Sequence, residues 1–530
     1  LVIGILLILI WQAGFARPTT KIDDSYKLTA SSGMHNERYF VYFWWYTGLF
    51  PLMSLDAVEL PCEYRCASRF EDGAPGPLSK QAAEQIIHTR PDSLVMDLTW
   101  TFFPGDHGKI YLFWLDSWLE GQPSSPSIAP TNRVAFVMSL MALFGGLWFV
   151  HRWILGAFLV AFLGSNPFQI FEVYGNENIF GWPITAAILM LALHVPILSR
   201  RRIGMFSMLA TPFISALLLA ALRTVRPEGV PIALSCILAY TFANVPAHLR
   251  IRAWASRSAM ILIFLCTFIS AHVAWWNFIR NKYDDVASVL RSVGATPLSG
   301  VQRKHHQLWH PIFCGLGDFD TSHGYQWEDT AALAYAQPIL ERRHGLRLPS
   351  PSMTSSTHTD EEYADGAKAH YKILPYGLPL YEEVIRDKVL EDIAQDPLWY
   401  IGILGKRLSR LLTEFTPIRL SLLDSWITIP SIGFLFIPMV LFSVVGRRFF
   451  ETGLLMFTLP TCLTALFIYS GRGTIFYGVF HLIAGALFFR IIFGALQNIW
   501  TRFVSSKRSS RPDRPMQSQG DRAEVISGAP

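Results

Sequence analysis

The sequence predicts an all-α polytopic membrane protein of about ten transmembrane helices, with two large external regions that carry interfacial helices. Three observations predict it. The chain is 51% hydrophobic and 16% charged, with 38 Phe and 17 Trp, where ordinary soluble chains carry roughly 25% charge. Apolar runs close to the length of a bilayer crossing, about 20 residues, recur at 1–16, 133–151, 152–171, 179–198, 203–222, 229–247, 257–279, 427–445, 452–470 and 474–496. Basic clusters fall on alternate connections: His151-Arg152, Arg200-Arg201-Arg202, Arg250-Ile251-Arg252, Arg447-Arg448 and the tail from Arg502 to Arg514. The positive-inside rule makes those connections cytoplasmic and the long polar stretches 17–132 and 280–426 external. The net charge of +5 says less than this placement, and no continuous basic face marks a nucleic-acid partner.

The organisation follows in order. Residues 1–16 read as a first transmembrane helix whose start is missing, with a signal peptide ending in Ala13-Gly14-Phe15-Ala16 as the other reading. The external loop 17–132 begins with an acidic motif. It contains two aromatic segments, Tyr39–Leu55 and Tyr111–Trp118, which read as interfacial helices with Trp and Tyr at headgroup depth. A six-helix bundle spans 133–279, a second external region 280–426, three further helices 427–496, and a disordered cytoplasmic tail 497–530. Residues 349–362 (PSPSMTSSTHTDEE) have the composition of a flexible excursion. The helical pattern of Tyr381–Gln395 is followed by a helix that Asp396-Pro397 opens, with Pro in its first turn.

Several residues could carry chemistry. Asp23 and Asp24 stand where the chain leaves the first apolar run. Carboxylates there are costly near hydrocarbon and often face an aqueous cavity, although a helix end meeting water needs nothing more. Asn176 and Glu177, with Glu172 and Asn178, occupy a short external connection, either lining a cavity mouth or forming a solvated turn. Arg472, between Gly471 and Gly473, offers a bidentate fork to a phosphate at the external surface. Tyr477 and His481 follow it by one and two turns, and Arg223 and Arg226 likewise run against the positive-inside trend.

His306 and His310 have metal-ligand spacing. However, Pro311 biases His310 away from helical geometry, and no HExxH or zinc-spaced cysteine accompanies them. No metal ligand is therefore assigned, and substrate contact or packing is expected. The aromatic and glycine content of 305–327, Trp327 included, suits a sugar or lipid headgroup lying against rings, as it suits a folded loop core. Lys406, Arg407 and Arg410 lie near one helix face and are lesser candidates for holding a phosphate. Cys62 and Cys66 are either a disulfide or two thiols, Cys236, Cys266 and Cys462 read as core packing, and Cys314 is a lone external cysteine.

With these residues in view, the chain resembles the GT-C class of integral-membrane glycosyltransferases, which use polyprenyl-phosphate-linked sugars. The likeness covers the architecture of most of the chain, and Asp23-Asp24 stand where that class carries its catalytic acid. The stretches HHQLWHPIFCGLGDF (305–319) and GNENIFGWP (175–183) resemble uncharacterised bacterial polytopic members. The chain departs from better-known branches in lacking a WWD motif and in its longer central loop. The resemblance implies inverting transfer from a polyprenyl-phosphate sugar donor to a glycan, lipid or protein acceptor, at the periplasmic face of a bacterial inner membrane. It implies Asp23 or Asp24 as general base and makes a divalent cation, Mg or Mn, a candidate cofactor. Arg472 would supply the fixed donor that a departing phosphate calls for. Rival readings are an O-antigen ligase or polymerase, which does not need the long acidic loop after the first helix, and a transporter or lipid flippase. The last predicts ionisable residues at mid-depth or inverted repeats with broken helices.

Overall fold

The computed structural model describes residues 1–14, 45–46, 48, 108–121, 129–166, 169–170, 173, 181–199, 205–225, 229–243, 250–292, 308–344, 357–362, 368–373, 379–413, 418–422, 425–429, 432–468 and 475–509. Helices dominate them. In chain order they are α1 (Val2–Gly14), α2 (Gly108–Glu120), α3 (Ala129–Phe149), α4 (Trp153–Ser165), α5 (Gly181–Leu198), α6 (Met205–Val225), α7 (Gly229–Thr241) and α8 (Arg250–Ser292). After these come α9 (Trp309–Gly317), α10 (Asp329–His344), α11 (Pro379–Gln395), α12 (Pro397–Thr413), α13 (Phe436–Val445), α14 (Phe449–Phe467) and α15 (Ile475–Ser509). Two antiparallel hairpins accompany them, β1 (Thr357–Glu362) with β2 (Lys368–Ile373) and β3 (Ile418–Leu422) with β4 (Ser425–Ile429).

The protein is a helical membrane protein. Among the described residues six helices are long and apolar enough to cross a bilayer, in α3, α5, α6, α8, α14 and α15, and four shorter apolar helices stand beside them. One apolar core joins them: Phe136, Leu140 and Leu147 of α3, Leu191 and Val195 of α5, Cys236 of α7, Leu454 of α14 and Leu482 of α15 are buried together. Hydrocarbon offers no water to backbone groups, so each crossing segment must satisfy its own N–H and C=O groups, and helices do this. Close approaches fix the directions. A Cβ on Gly4 would collide with the Phe144 ring, and Leu1 lies beside Gly145, so α1 runs antiparallel to α3. A Cβ on Gly453 would press on Leu198, which sets the start of α14 against the end of α5.

The alternation defines two ends. At the lower end the reversals after α3 and α13 are tight: Arg152 N donates to Leu147 O and Arg448 N to Ser443 O, both at 2.7 Å. His151 and Arg447 take positive φ there, 59° and 50°, a position glycine usually fills because it has no Cβ. Arg257 closes the α7–α8 reversal by donating to Ala243 O at 3.1 and 2.9 Å. Glu451, buried in the first turn of α14, accepts from Arg490 at 2.9 Å and lies 3.7 Å from Arg152. A carboxylate at a helix N-terminus is favoured by the dipole. At the upper end, α2 packs on α6 and touches α8 at Trp275 and Phe278, and α9–α12 form a folded unit of their own.

Several expectations need correction. The run 152–171 yields α4 ending at Ser165, where Asn166 Oδ1 takes the Gln169 amide at 3.2 Å; a helix of 13 residues is about 20 Å long, short of the bilayer. The run 427–445 splits: Ser425–Ile429, rich in β-branched and aromatic residues, pairs as β4, and α13 begins at Phe436. Part of the excursion 349–362 forms β1, whose register sets Glu362 opposite Lys368 and Asp360 opposite His370. The tail stays helical to Ser509. Cys266 is exposed on α8 and is not core packing. The interfacial segment Tyr111–Trp118 lies within α2, while Tyr39–Leu55, apart from Trp45, Tyr46 and Gly48, lies outside the described residues.

Replacing Glu451 with Ala leaves two cations without their acceptor at a largely buried point. Breaking such a pair costs about 3 kcal/mol or somewhat more. Thermal unfolding of the detergent-solubilised Glu451→Ala protein is expected at a clearly lower midpoint than wild type.

Candidate functional site

The upper unit is assembled around α9. Its first turn has orphan N–H groups, and Glu382 of α11 takes three of them: Oε2 accepts from Leu308 N at 3.0 Å and Trp309 N at 2.9 Å, Oε1 from His310 N at 3.0 Å. Glu382 is buried, so a side chain 72 to 74 residues downstream does the work of a local cap. His310 is therefore helical after all. Pro311 lies in the first turn, where its missing N–H costs nothing. The His310 ring is buried, with Nδ1 2.6 Å from the Tyr381 hydroxyl and Nε2 3.9 Å from Cys314 Sγ. Its surroundings are those of packing, and Cys314 is buried beside it.

A second cluster holds the loop after α9. Tyr325 donates to Asp392 at 2.8 Å, Lys388 pairs with the same carboxylate at 2.9 Å, and the Lys388 ammonium sits over the Tyr325 and Tyr335 rings at 4.9 and 4.7 Å. Trp399 stacks on His323 at 4.2 Å and on Tyr325 at 5.6 Å. Burial, and then the Asp392 charge, push the Tyr325 hydroxyl well above its ordinary pKa. Trp399 is set by the start of α12, where Asp396 Oδ1 accepts its amide at 3.0 Å.

The third cluster joins the unit to the bundle. Arg407 of α12 is fully buried and donates through one NH group to Leu466 O and Phe467 O, both at 3.1 Å, at the last turn of α14. Those carbonyls are the orphan acceptors of a helix C-terminus. Arg410 pairs with Asp318, Lys406 lies 3.7 Å from Asp320 and donates to Phe319 O at 3.3 Å, and both arginines lie over the Phe319 ring. Hydrogen bonds from Ser322, and then the Lys406 charge, hold the Asp320 carboxyl below the usual carboxylate range.

Of the sequence-derived candidates, His310, Trp327, Lys406 and Arg410 come together in this unit. Lys406 and Arg410 are committed to the 318–320 loop, which gives them a structural task, and Trp327 is 45% exposed at its rim. Asp23, Asp24, Asn176, Glu177, His306 and Arg472 lie outside the described residues. Tyr477 and His481 are four apart in α15 and share one helix face. Among the described residues no three His, Cys, Asp or Glu gather to hold a metal ion.

The sequence reading missed His194, although an ionisable residue inside an apolar run is itself a signal. It is fully buried one turn before the end of α5. Nδ1 is 2.7 Å from Met190 O, the ring lies 5.0 Å from Tyr240 and 5.6 Å from Phe457, and Nε2 has no hydrogen-bond partner among the described residues. Phe457 also lines a small cavity with Ser235, Thr458 and Thr461.

No family model matches the chain, and neither the curated proteins nor the solved structures contain a match to it.

Two outcomes are expected. Glu382→Ala strands three amides and costs about 2 kcal/mol; limited proteolysis should cut near Leu308 faster in that variant than in wild type. Asp320, with its folded pKa lowered, stabilises the loop above the unfolded value of about 4, and that contribution is lost as pH falls through the lowered one. Hydrogen exchange at the Ser322 amide should accelerate on acidification below about pH 4, beyond its intrinsic pH dependence, and Asp320→Asn should abolish that extra response.

Proposed function

We propose that the chain is a membrane-embedded glycosyltransferase that moves a sugar from a polyprenyl-phosphate donor to an acceptor hydroxyl at its upper end. The observation that carries this reading is the docking of α12 on the last turn of α14 by Arg407. The connection 468–474, which contains Arg472, springs from that turn and returns at Ile475. A folded aromatic unit with an exposed Trp327 is thereby anchored on the end of α14, the helix that precedes Arg472 in the chain. In this reading the basic lower end faces the cytoplasm of a bacterial inner membrane.

The chemistry divides among named groups. Asp23 or Asp24 takes the proton from the acceptor hydroxyl as its oxygen bonds to the anomeric carbon. The bond from that carbon to the phosphate oxygen breaks, the electron pair leaves with the phosphate, and configuration inverts. Arg472 neutralises the charge that grows on the departing group. Lys406 and Arg410, already paired with Asp320 and Asp318, position the loop that leads to Trp327. The partly buried carboxylates of the unit, Asp318, Glu382 and Asp392, are engaged by arginine, backbone amides and lysine, so the base is sought off the unit.

A second reading, proton-coupled transport, is favoured by one observation: the buried His194 in α5 with an open ring nitrogen. One comparison separates the two. Purified protein in nanodiscs is given radiolabelled polyprenyl-phosphate sugars and membrane-extract acceptors. Asp23→Asn or Asp24→Asn is expected to lower transfer by about a hundredfold or more, as for a lost general base, with His194→Gln near wild type. Transfer unchanged in both aspartate variants and in Arg472→Ala would sink the site assignment. Loss of an imposed pH gradient in proteoliposomes, abolished by His194→Gln, would put transport ahead.

A further inference from the structure

The upper end of α6 and the middle of α8 hold a set of hydrogen-bond donors with too few acceptors among the described residues. Arg223, in the last turn of α6, places a guanidinium NH group 2.6 Å from the ring nitrogens of His272 on α8. Trp276, one turn further along α8, donates its indole N–H to His272 Nε2 at 2.7 Å. A neutral imidazole has one lone pair to offer and one N–H of its own, and an imidazolium has none. The one Nη1 atom cannot lie along either lone pair while equally close to both nitrogens, so Trp276 takes the single acceptor, Arg223 has none among the described residues, and the other imidazole nitrogen adds a further donor. The buried indole N–H of the neighbouring Trp275 also has no acceptor among the described residues. No carboxylate lies within ion-pair distance of Arg223 among them.

The surroundings fix this group in place. Gly229, the first residue of α7, packs so closely on the Arg223 backbone that a Cβ there would stand 3.2 Å from it. Gly108, the first residue of α2, lies on Thr224, where a Cβ would collide. The N-terminal turn of a 13-residue helix, with its positive dipole end, therefore begins at Thr224, the residue after Arg223. Tyr111 of α2 meets Trp275 and Phe278 at 5.4 and 5.6 Å, and Lys282 sits over Phe278 at 5.8 Å, an aromatic and basic collar of the kind found at headgroup depth. The apolar window of α8 is only 11% buried within the protein, so this helix faces lipid.

A half-buried guanidinium that meets no counter-charge among the described residues is costly, and α8 faces lipid, so an acceptor can reach the site from the bilayer. We propose that Arg223, His272, Trp276 and the first turn of α2 bind the phosphate of an anionic lipid lodged between α6 and α8. The phosphate supplies acceptors that the described residues do not: a bidentate contact to Arg223 and further oxygens for the imidazole and the α2 amides. Both a glycerophospholipid headgroup and a polyprenyl phosphate carry this chemistry. The site stands whether or not the chain transfers a sugar.

The test uses the full chain in detergent and native mass spectrometry, titrated separately with phosphatidylglycerol, a polyprenyl phosphate, phosphatidylcholine and inorganic phosphate. Wild type is expected to retain one phosphatidylglycerol or polyprenyl phosphate in preference to phosphatidylcholine. Arg223→Gln should weaken that binding tenfold or more, and Arg223→Lys should fall between, because an ammonium keeps the charge and loses the fork. Equal retention of both anionic lipids identifies a general headgroup site, and retention of polyprenyl phosphate alone a phosphate-monoester site. Unchanged binding in Arg223→Gln, no preference over phosphatidylcholine, or binding of inorganic phosphate alone overturns the proposal. If Arg223→Gln does not purify as a single species, His272→Leu and Arg223→Lys decide on the same criteria.

Discussion

Arg407 lies fully buried between α12 and α14, donating to two carbonyls in the last turn of α14. A buried guanidinium is tolerated only where acceptors and counter-charge meet it. The C-terminal carbonyls of a helix are such acceptors, since no further turn uses them and the dipole makes that end negative. The arrangement satisfies the helix end and gives one arm of the buried guanidinium its acceptors. It also sets the register of everything on α12. Lys406 and Arg410 flank Arg407, so the 318–320 loop with Phe319 follows it into place, and Trp399 on the preceding turns holds His323 and Tyr325. Lysine lacks the fork geometry for that position.

The same accounting separates structural charges from those that wait for a ligand. Glu451 has Arg490 and Arg152, Asp392 has Lys388 and Tyr325, and Glu382 has three amides. Each is closed within the protein. Arg223 is not, among the described residues, because Trp276 already takes the one lone pair of a neutral His272. This inventory points to the bilayer side of α6 and α8 as a place where something outside the chain can contribute.

Much of the helical layout was legible because hydrocarbon imposes a coarse rule, about 20 apolar residues per crossing, and the sequence follows it at α3, α5, α6, α8 and α14. The rule fails where an apolar run is used for something else. Residues 152–171 and 427–445 are apolar enough, yet Asn166 ends α4 with a side-chain bond and the β-branched 427–429 pair as a strand. Within the upper unit, the helix opened by Asp396-Pro397 was readable from its cap, whereas the cap of α9 was not. Glu382 is distant in sequence, and local propensity holds no record of a partner 72 to 74 residues away. Hence His310 read as leaving a helix at Pro311 when it begins one, and Lys406 and Arg410 read as open cations when Asp320 and Asp318 hold them.

Two histidines on crossing helices show how surroundings decide the role of one residue type. The α5 window is 72% buried within the protein and that of α8 only 11%. His194 is thus enclosed by protein, with its ring against those of Tyr240 and Phe457. Whatever meets its open Nε2 must be small, a water or a proton, because close-packed interiors leave room for little else. His272 has protein on one side and lipid on the other, so its missing acceptor can be as large as a headgroup and can be exchanged. An intramembrane ionisable group is therefore read from what its helix faces: toward the core it is confined to proton or water chemistry, and toward the bilayer it is available to recognise a lipid.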